Sequence, residues 1–298
     1  MNDELLHIPT RGGLRDREKI LQDPDTMSCN KGYDISADGY DKETGCIRGM
    51  VSSIVGILSE NRPSVYLYGS CVLNDFRLGW SDIDIIVLTR ERISAEQAQE
   101  LVWLRQKMLE SEPGNPYYRS FEGAMMPLSA FISGKPDLVV YWGTSGQRIT
   151  DTYSFDSFNM TLLLQIGRLL YGQDIRKELK MPGCEDLLGD VKAHYDSIRQ
   201  YAQTTRRGIH SFGWLLDIAR CLYTLRTKNV ISKTEAARWA LDNGLCPVPD
   251  VLETALKIRT DPMRYQNDTE ILNCSETLGS DIQRFADVLE EELKIAYA

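Results

Sequence analysis

The order of its hydrophobic patterns predicts an α+β chain, with an N-terminal unit of mixed strands and helices followed by an all-helical bundle. Three observations carry this. Strand-like and helix-like segments alternate up to about residue 150, and only helical periods follow. The 298 residues suit two domains of ordinary size. A composition of 42% hydrophobic and 26% charged residues can build a sizeable core and excludes global disorder.

Residues 1–45 are rich in Asp, Gly, Lys and Ser. They read as a loosely ordered extension with one short helix near 15–22. From 46 to 58, Ile47, Met50, Val51, Ile54 and Leu58 recur at helical spacing, and Pro63 ends that helix. Residues 64–68 (SVYLY) predict a strand closed by Gly69. Residues 83–88 (IDIIVL) are a β-branched run suited to a central strand. Ser94 is placed to cap a helix over 95–109, which a Pro/Gly/Asn break at 112–116 ends. Two strand-like runs follow, 121–131 and 137–142. Helical periods then cover 155–170, 187–204, 212–227, a segment opened by the capping-box wording Ser232-Lys233-Thr234-Glu235, 251–258 and 281–297. The expected layout is an extension at 1–45, an α/β unit at 46–150 and a helical unit at 151–298.

Charge narrows the partners. The net charge is -9, with 16 basic and 21 acidic groups in residues 1–150 and 18 and 22 in the remainder. No basic face emerges, which disfavours a nucleic-acid partner, since that grip needs clustered Lys and Arg. No run approaches the roughly 18 apolar residues of a membrane span. The N-terminus lacks the order of a secretory signal. Seven scattered cysteines without a CxxC pair, and three histidines, disfavour zinc and disulfides. Free thiols in the cytoplasm are the expectation.

The chemistry lies in Tyr68-Gly69-Ser70, eleven intervening residues, and then Asp82-Ile83-Asp84-Ile85-Ile86-Val87. On a strand, Asp82 and Asp84 point to one face and Ile83 and Ile85 to the other. Paired carboxylates repel unless a cation lies between them. A hard ion such as Mg²⁺, shared with phosphate oxygens, satisfies that geometry. A glycine after a strand lets backbone N–H groups approach a phosphate, and the serine hydroxyl adds a donor. Together these predict a phosphoryl- or nucleotidyl-transfer site. A DxD on a strand edge can also be a plain solvated face.

The combination of strand, Gly-Ser, spacer and Ser81-Asp82-Ile83-Asp84 resembles the polymerase-beta-like nucleotidyltransferase superfamily, in its small-molecule branch. Residues 215–223 (LLDIARCLY) and 230–240 (VISKTEAARWA) resemble the C-terminal helical domain of bacterial streptomycin and spectinomycin adenylyltransferases. The resemblance covers about residues 46–262, firmly at 66–88 and 214–240. It implies a small mixed sheet flanked by helices plus a helical bundle, with the site between them. It also implies AMP transfer from ATP, with Mg²⁺, to a hydroxyl of a small molecule such as an aminoglycoside-type antibiotic. By this resemblance Gly69 and Ser70 hold nucleotide phosphates, Asp82 and Asp84 hold Mg²⁺, and Glu122 is the general base, with Asp137 the rival third carboxylate. Arg220 and Lys233 match the family's phosphate-binding positions. Ion pairs to Asp217 or Glu235 would equally explain Arg220. Tyr223 either lines the cleft or packs, and Trp142 is a further candidate for the cleft. Trp103, Trp214 and Trp239 read as core. His194 and His210 read as surface or capping residues, and Glu290-Glu291-Glu292 as a solvated helix face.

The sequence departs from the family in two places. Residues 71–80 (CVLNDFRLGW) lack its small, glycine-rich wording, and Asp75-Phe76-Arg77 is expected to frame the pocket instead. The family's drug-binding tryptophan and aspartate have no clear equivalents. Arg206-Arg207 stands there, an unusual greeting for a polycation. The acceptor therefore stays open between an antibiotic, another metabolite and a protein or RNA, and a non-catalytic nucleotide-binding regulator is the remaining alternative.

Overall fold

The computed structural model describes residues 39–143 and 146–298. The helix expected near 15–22 lies outside the described residues. Helix α1 (Gly39–Leu58) starts earlier than the expected residue 46 and buries Met50, Ile54 and Leu58 along one stripe. Strand β1 (Pro63–Tyr68) and strand β2 (Ile83–Thr89) are buried on both faces, which explains their unbroken apolar wording. Helix α2 (Ala95–Ser111) opens with a full capping box between Ser94 and Gln97. It carries the chain across to strand β3 (Phe121–Pro127), which lies parallel to β2.

The expected strand over 121–131 stops at Pro127, where helix α3 (Leu128–Ser133) begins. Pro127 has no N–H to continue a ladder and is well suited to precede a helix. Strand β4 (Val139–Gly143) and strand β5 (Gly146–Thr150) form an antiparallel hairpin at the sheet edge. The polar wording of β5 had hidden it, because an edge strand buries little.

Helix α4 (Ser157–Gln165) and strand β6 (Arg168–Tyr171) replace the single helix expected over 155–170. The break is Gly167, whose N–H bonds back to the Leu162 and Leu163 carbonyls, and where a Cβ would lie 2.3 Å from the Leu163 carbonyl oxygen. β6 pairs antiparallel with β1, so the six-stranded sheet runs β5-β4-β3-β2-β1-β6. The α/β unit therefore extends past the expected boundary at 150.

One face of the sheet (Ile83, Ile85, Val87, Phe121, Met125) packs on α1 and α2. The other (Tyr66, Tyr68, Ile86, Ala124, Met126) packs on α3 and α4. Helix α4 also gives Phe158 and Leu162 to the bundle core, so it joins the two units. The bundle comprises α5 (Cys184–Tyr201), α6 (Gly213–Thr227), α7 (Lys233–Asp242), α8 (Pro249–Thr260), α9 (Pro262–Tyr265), α10 (Thr269–Ser275) and α11 (Gly279–Tyr297). Arg199 binds Asp287 and Glu290, and Arg226 binds Glu292, so the acidic run on α11 staples that helix to α5 and α6 instead of merely facing water. Among the described residues no helix is long and apolar enough to cross a membrane. The six cysteines within them are free.

Candidate active site

Strand pairing assembles the carboxylates. Asp84 is in register with Tyr68 on one side and with Glu122 on the other, and Asp82 lies just before β2. Register partners on neighbouring strands share a face about 4.8 Å apart. Asp84 and Glu122 therefore stand together, and Asp82 lies within hydrogen-bond reach of Glu122. The hydrophobic side of the same strand segment, Ile83 and Ile85, anchors the group in the core beneath α1 and α2.

Three acids in one partly dry corner hold protons tightly. Burial, then the charge of Asp82 and a hydrogen bond with it, raise Glu122 from 4.5 to about 7, against the pull of Tyr141 and Arg105. Burial, then the charges of Asp82 and Glu122, push Asp84 well above the ordinary carboxylate range. Burial also raises Asp82, against Glu122, Lys233 and Arg105. The Tyr141 hydroxyl donates to Glu122 Oε1 at 3.2 Å and orients it. Asp137 is elsewhere, on the surface and paired with Arg92.

Gly69 turns the chain out of β1 with φ +67°. A Cβ there would fall 2.0 Å from Asp84 Oδ2, so only glycine lets the carboxylate lie against the turn. The Ser70 N–H faces that carboxylate and eases its charge, and its hydroxyl donates to the Asp82 carbonyl oxygen at 3.2 Å. Gly69 and Ser70 thus frame the acidic pair.

The bundle supplies the opposite charge. Lys233 stands at the start of α7, immediately after the Ser232 cap, and its charge is felt at both Asp82 and Asp84. Asp217 on α6 holds Lys233 Nζ at 3.0 Å and Arg220 Nη2 at 3.2 Å. Burial pushes Asp217 up, but Lys233, Arg220 and His194 outweigh it and hold it at about 2. An ion pair for Arg220 is thus present, yet one acid serves two cations. Arg220 Nε is buried without a hydrogen-bond partner, and the guanidinium lies 5.2 Å from the Phe158 ring centroid.

Of the sequence candidates, Gly69, Ser70, Asp82, Asp84 and Glu122 form one group; the charge of Lys233 reaches it from the bundle, and Arg220 is linked to Lys233 through their shared partner Asp217. Tyr223 packs its ring edge-on against Trp239 of α7. Trp142 is fully buried, donating Nε1–H to the Leu101 carbonyl at 3.0 Å, so it belongs to the core and not to a cleft. Trp103, expected in the core, is 59% exposed on α2. His194 is half-buried beside Phe158, and burial lowers its pKa, so it is no surface residue. Arg207 is held by Asn273 and Glu276, which takes one member of the Arg-Arg pair out of play. Sequence reasoning missed Tyr141 and Arg105 as partners of Glu122. Only the strand and helix packing places them there.

The donor set suits a hard divalent cation. Among the described residues no three or more His, Cys, Asp or Glu side chains form a ready cage. Mg²⁺ is seldom bound that way; it takes one or two carboxylates and completes its shell with water and substrate phosphate. Asp82 and Asp84 could supply those two, and a cation between them would relieve their mutual repulsion.

A carboxylate corner on a mixed sheet, with a lysine of the helical bundle acting on it, suits phosphoryl or nucleotidyl transfer. Residues 51–114 match the nucleotidyltransferase domain family, a span that holds Gly69, Ser70, Asp82 and Asp84. Residues 185–286 match the C-terminal domain of the aminoglycoside adenylyltransferases, a span that holds Asp217, Arg220 and Lys233. The chain is thus a nucleotidyltransferase resembling the aminoglycoside adenylyltransferases. Its fold is similar to that of the spectinomycin adenyltransferase AAD(9) from Enterococcus faecialis, solved with ATP and spectinomycin. That likeness has a TM-score of 0.56 at 15% identity, over 85% of this chain and 100% of the other. No curated protein matches the chain in sequence.

Proposed function

We propose that this protein transfers AMP from ATP to a hydroxyl of a small, aminoglycoside-type acceptor and releases pyrophosphate. The observation that carries the reading is the joining of Asp82, Asp84 and Glu122 at one strand end, with the charge of Lys233, held beside Arg220 by Asp217, acting on both aspartates. Asp82 and Asp84 would hold Mg²⁺, which when bound neutralises phosphate charge and polarises the phosphoryl oxygens.

The chain's own groups account for the rest. Glu122, oriented by Tyr141, accepts the proton of the acceptor hydroxyl. The freed oxygen attacks the α-phosphorus, and the bond to the bridging oxygen of pyrophosphate breaks. Lys233 and the unsatisfied donor of Arg220 balance the charge on the departing phosphates. Ser70 and the backbone of the Gly69 turn position the phosphate tail. The neighbour's bound ATP and spectinomycin, together with the matching C-terminal domain, support the choice of nucleotide and acceptor class.

A pyrophosphate-release screen tests this, using Mg²⁺, each of the common nucleoside triphosphates and an antibiotic panel. The expected result is release that needs ATP, Mg²⁺ and an aminoglycoside together. Release with no panel member, alongside transfer of label to protein or RNA, would refute the acceptor class.

A further inference from the structure

The loop linking Ser70 to Asp82 carries a buried acid that neither cation binding nor proton transfer uses. Asp75 is 3% exposed and its partner on α8, Arg259, 4%. Arg259 Nη2 donates to Asp75 Oδ2 at 2.7 Å and Nε to the same oxygen at 3.1 Å, while Nη2 also reaches the Asp75 carbonyl oxygen at 3.2 Å. The Thr234 hydroxyl donates to Oδ1 at 2.7 Å, and its N–H points at Oδ2 at 3.4 Å. Arg77 stands 3.9 Å from Oδ1. Trp80 covers the guanidinium, 5.9 Å from its ring centroid.

A buried ion pair contributes little net stability compared with a well-packed apolar pair; its best-attested use is to specify one geometry. Here that geometry lies on a short path between the two sides of the site. The Asp75 N–H donates to the Ser70 carbonyl at 2.9 Å, and the Leu73 N–H to the Gly69 carbonyl at 3.3 Å. The acid is therefore indexed to the Gly69-Ser70 turn. At the other end, Thr234 directly follows Lys233.

We propose that Asp75 is a positioning residue: through Thr234 and Arg259 it sets Lys233 in register with Gly69-Ser70, and so fixes the spacing between the sheet side and the bundle side of the nucleotide site. The proposal rests on the nucleotidyltransferase reading and adds to it the device that holds the two sides together. The loop wording that departs from the related family thereby gains a role. Asp75 joins the units, where the sequence alone had it framing the pocket.

Titration calorimetry of ATP with Mg²⁺ into the full chain tests this. Wild type, Asp75→Asn, Thr234→Val and Thr234→Ser are compared at a temperature where circular dichroism shows each folded. Asp75→Asn and Thr234→Val are expected to bind ATP roughly tenfold or more weakly, as misplacing a positioning group predicts. Their nucleotide KM should rise while the acceptor KM stays. Thr234→Ser, which keeps the hydroxyl, should bind as wild type does. Folded Asp75→Asn or Thr234→Val with wild-type ATP affinity, whatever their melting temperatures, would overturn the proposal. If Asp75→Asn does not fold, the Thr234 pair decides. A wild type that binds no nucleotide would instead overturn the underlying reading.

Discussion

Glu122→Gln should make the metal-free protein more stable while stopping its chemistry. Burial and Asp82 hold the folded pKa of Glu122 at about 7, against an ordinary 4.5. Between those values the folded state keeps a proton that the unfolded chain has released. Stability is therefore full below about 4.5, declines as pH rises, and has lost this contribution above about 7. The displacement corresponds to about 3 kcal/mol at 1.36 kcal/mol per tenfold. Glu122 is only half-buried, so solvent screening reduces this to about 1–2 kcal/mol. Glutamine has no charge to bury, and its amide can donate to Asp82. In EDTA at pH 8 the variant should therefore melt about 2–3 °C above wild type, with the gap closing near pH 4.5. Transfer should fall by roughly 10²–10⁴-fold, the usual contribution of a general base. Differential scanning fluorimetry across pH, alongside the pyrophosphate assay, measures both. A variant that melts at or below wild type at pH 8, or a gap independent of pH, would refute the electrostatic account of this corner.

Three further outcomes follow from the same geometry. Asp82→Asn and Asp84→Asn should each abolish transfer and Mg²⁺-dependent ATP binding while the fold remains by circular dichroism; full activity in either would remove the cation assignment. Gly69→Ala should cost about 1–3 kcal/mol in denaturant unfolding, from its left-handed backbone and the collision with Asp84, and should reduce transfer by at least 100-fold, since it displaces that carboxylate. Lys233→Met should raise the nucleotide KM with less effect on the acceptor KM, and because Asp217 then loses its main opposing charge, the pKa of Asp217 followed by NMR should rise from about 2.

Much of the candidate site was legible in the sequence because its pieces are local. Two aspartates two residues apart on a β-branched run face one way by strand geometry alone. A glycine at the end of the preceding strand marks a turn. The helical periods of α6 and the capping box of α7 place Arg220 and Lys233 on their elements. The failures came where local wording was ambiguous. The segment 155–170 reads as one helix because α4 is buried from two sides, and only the approach of Gly167 to Leu163 ends it early. Trp142 and Trp103 exchange their expected environments because apolar periodicity does not tell which side of an element meets solvent.

By itself, then, the sequence determined the class of chemistry and the residues offered for it, since strand alternation, turn chemistry and helix caps act over a few residues. Tertiary structure decided which of those residues meet. It put Glu122 rather than Asp137 beside the aspartates, brought Lys233 of α7 to Asp217 of α6, and tied Asp75 to Thr234 and Arg259. Each of those contacts joins residues far apart in the chain or on separate elements, and strand register and helix packing bring them together only once burial of the core has set the sheet against the bundle.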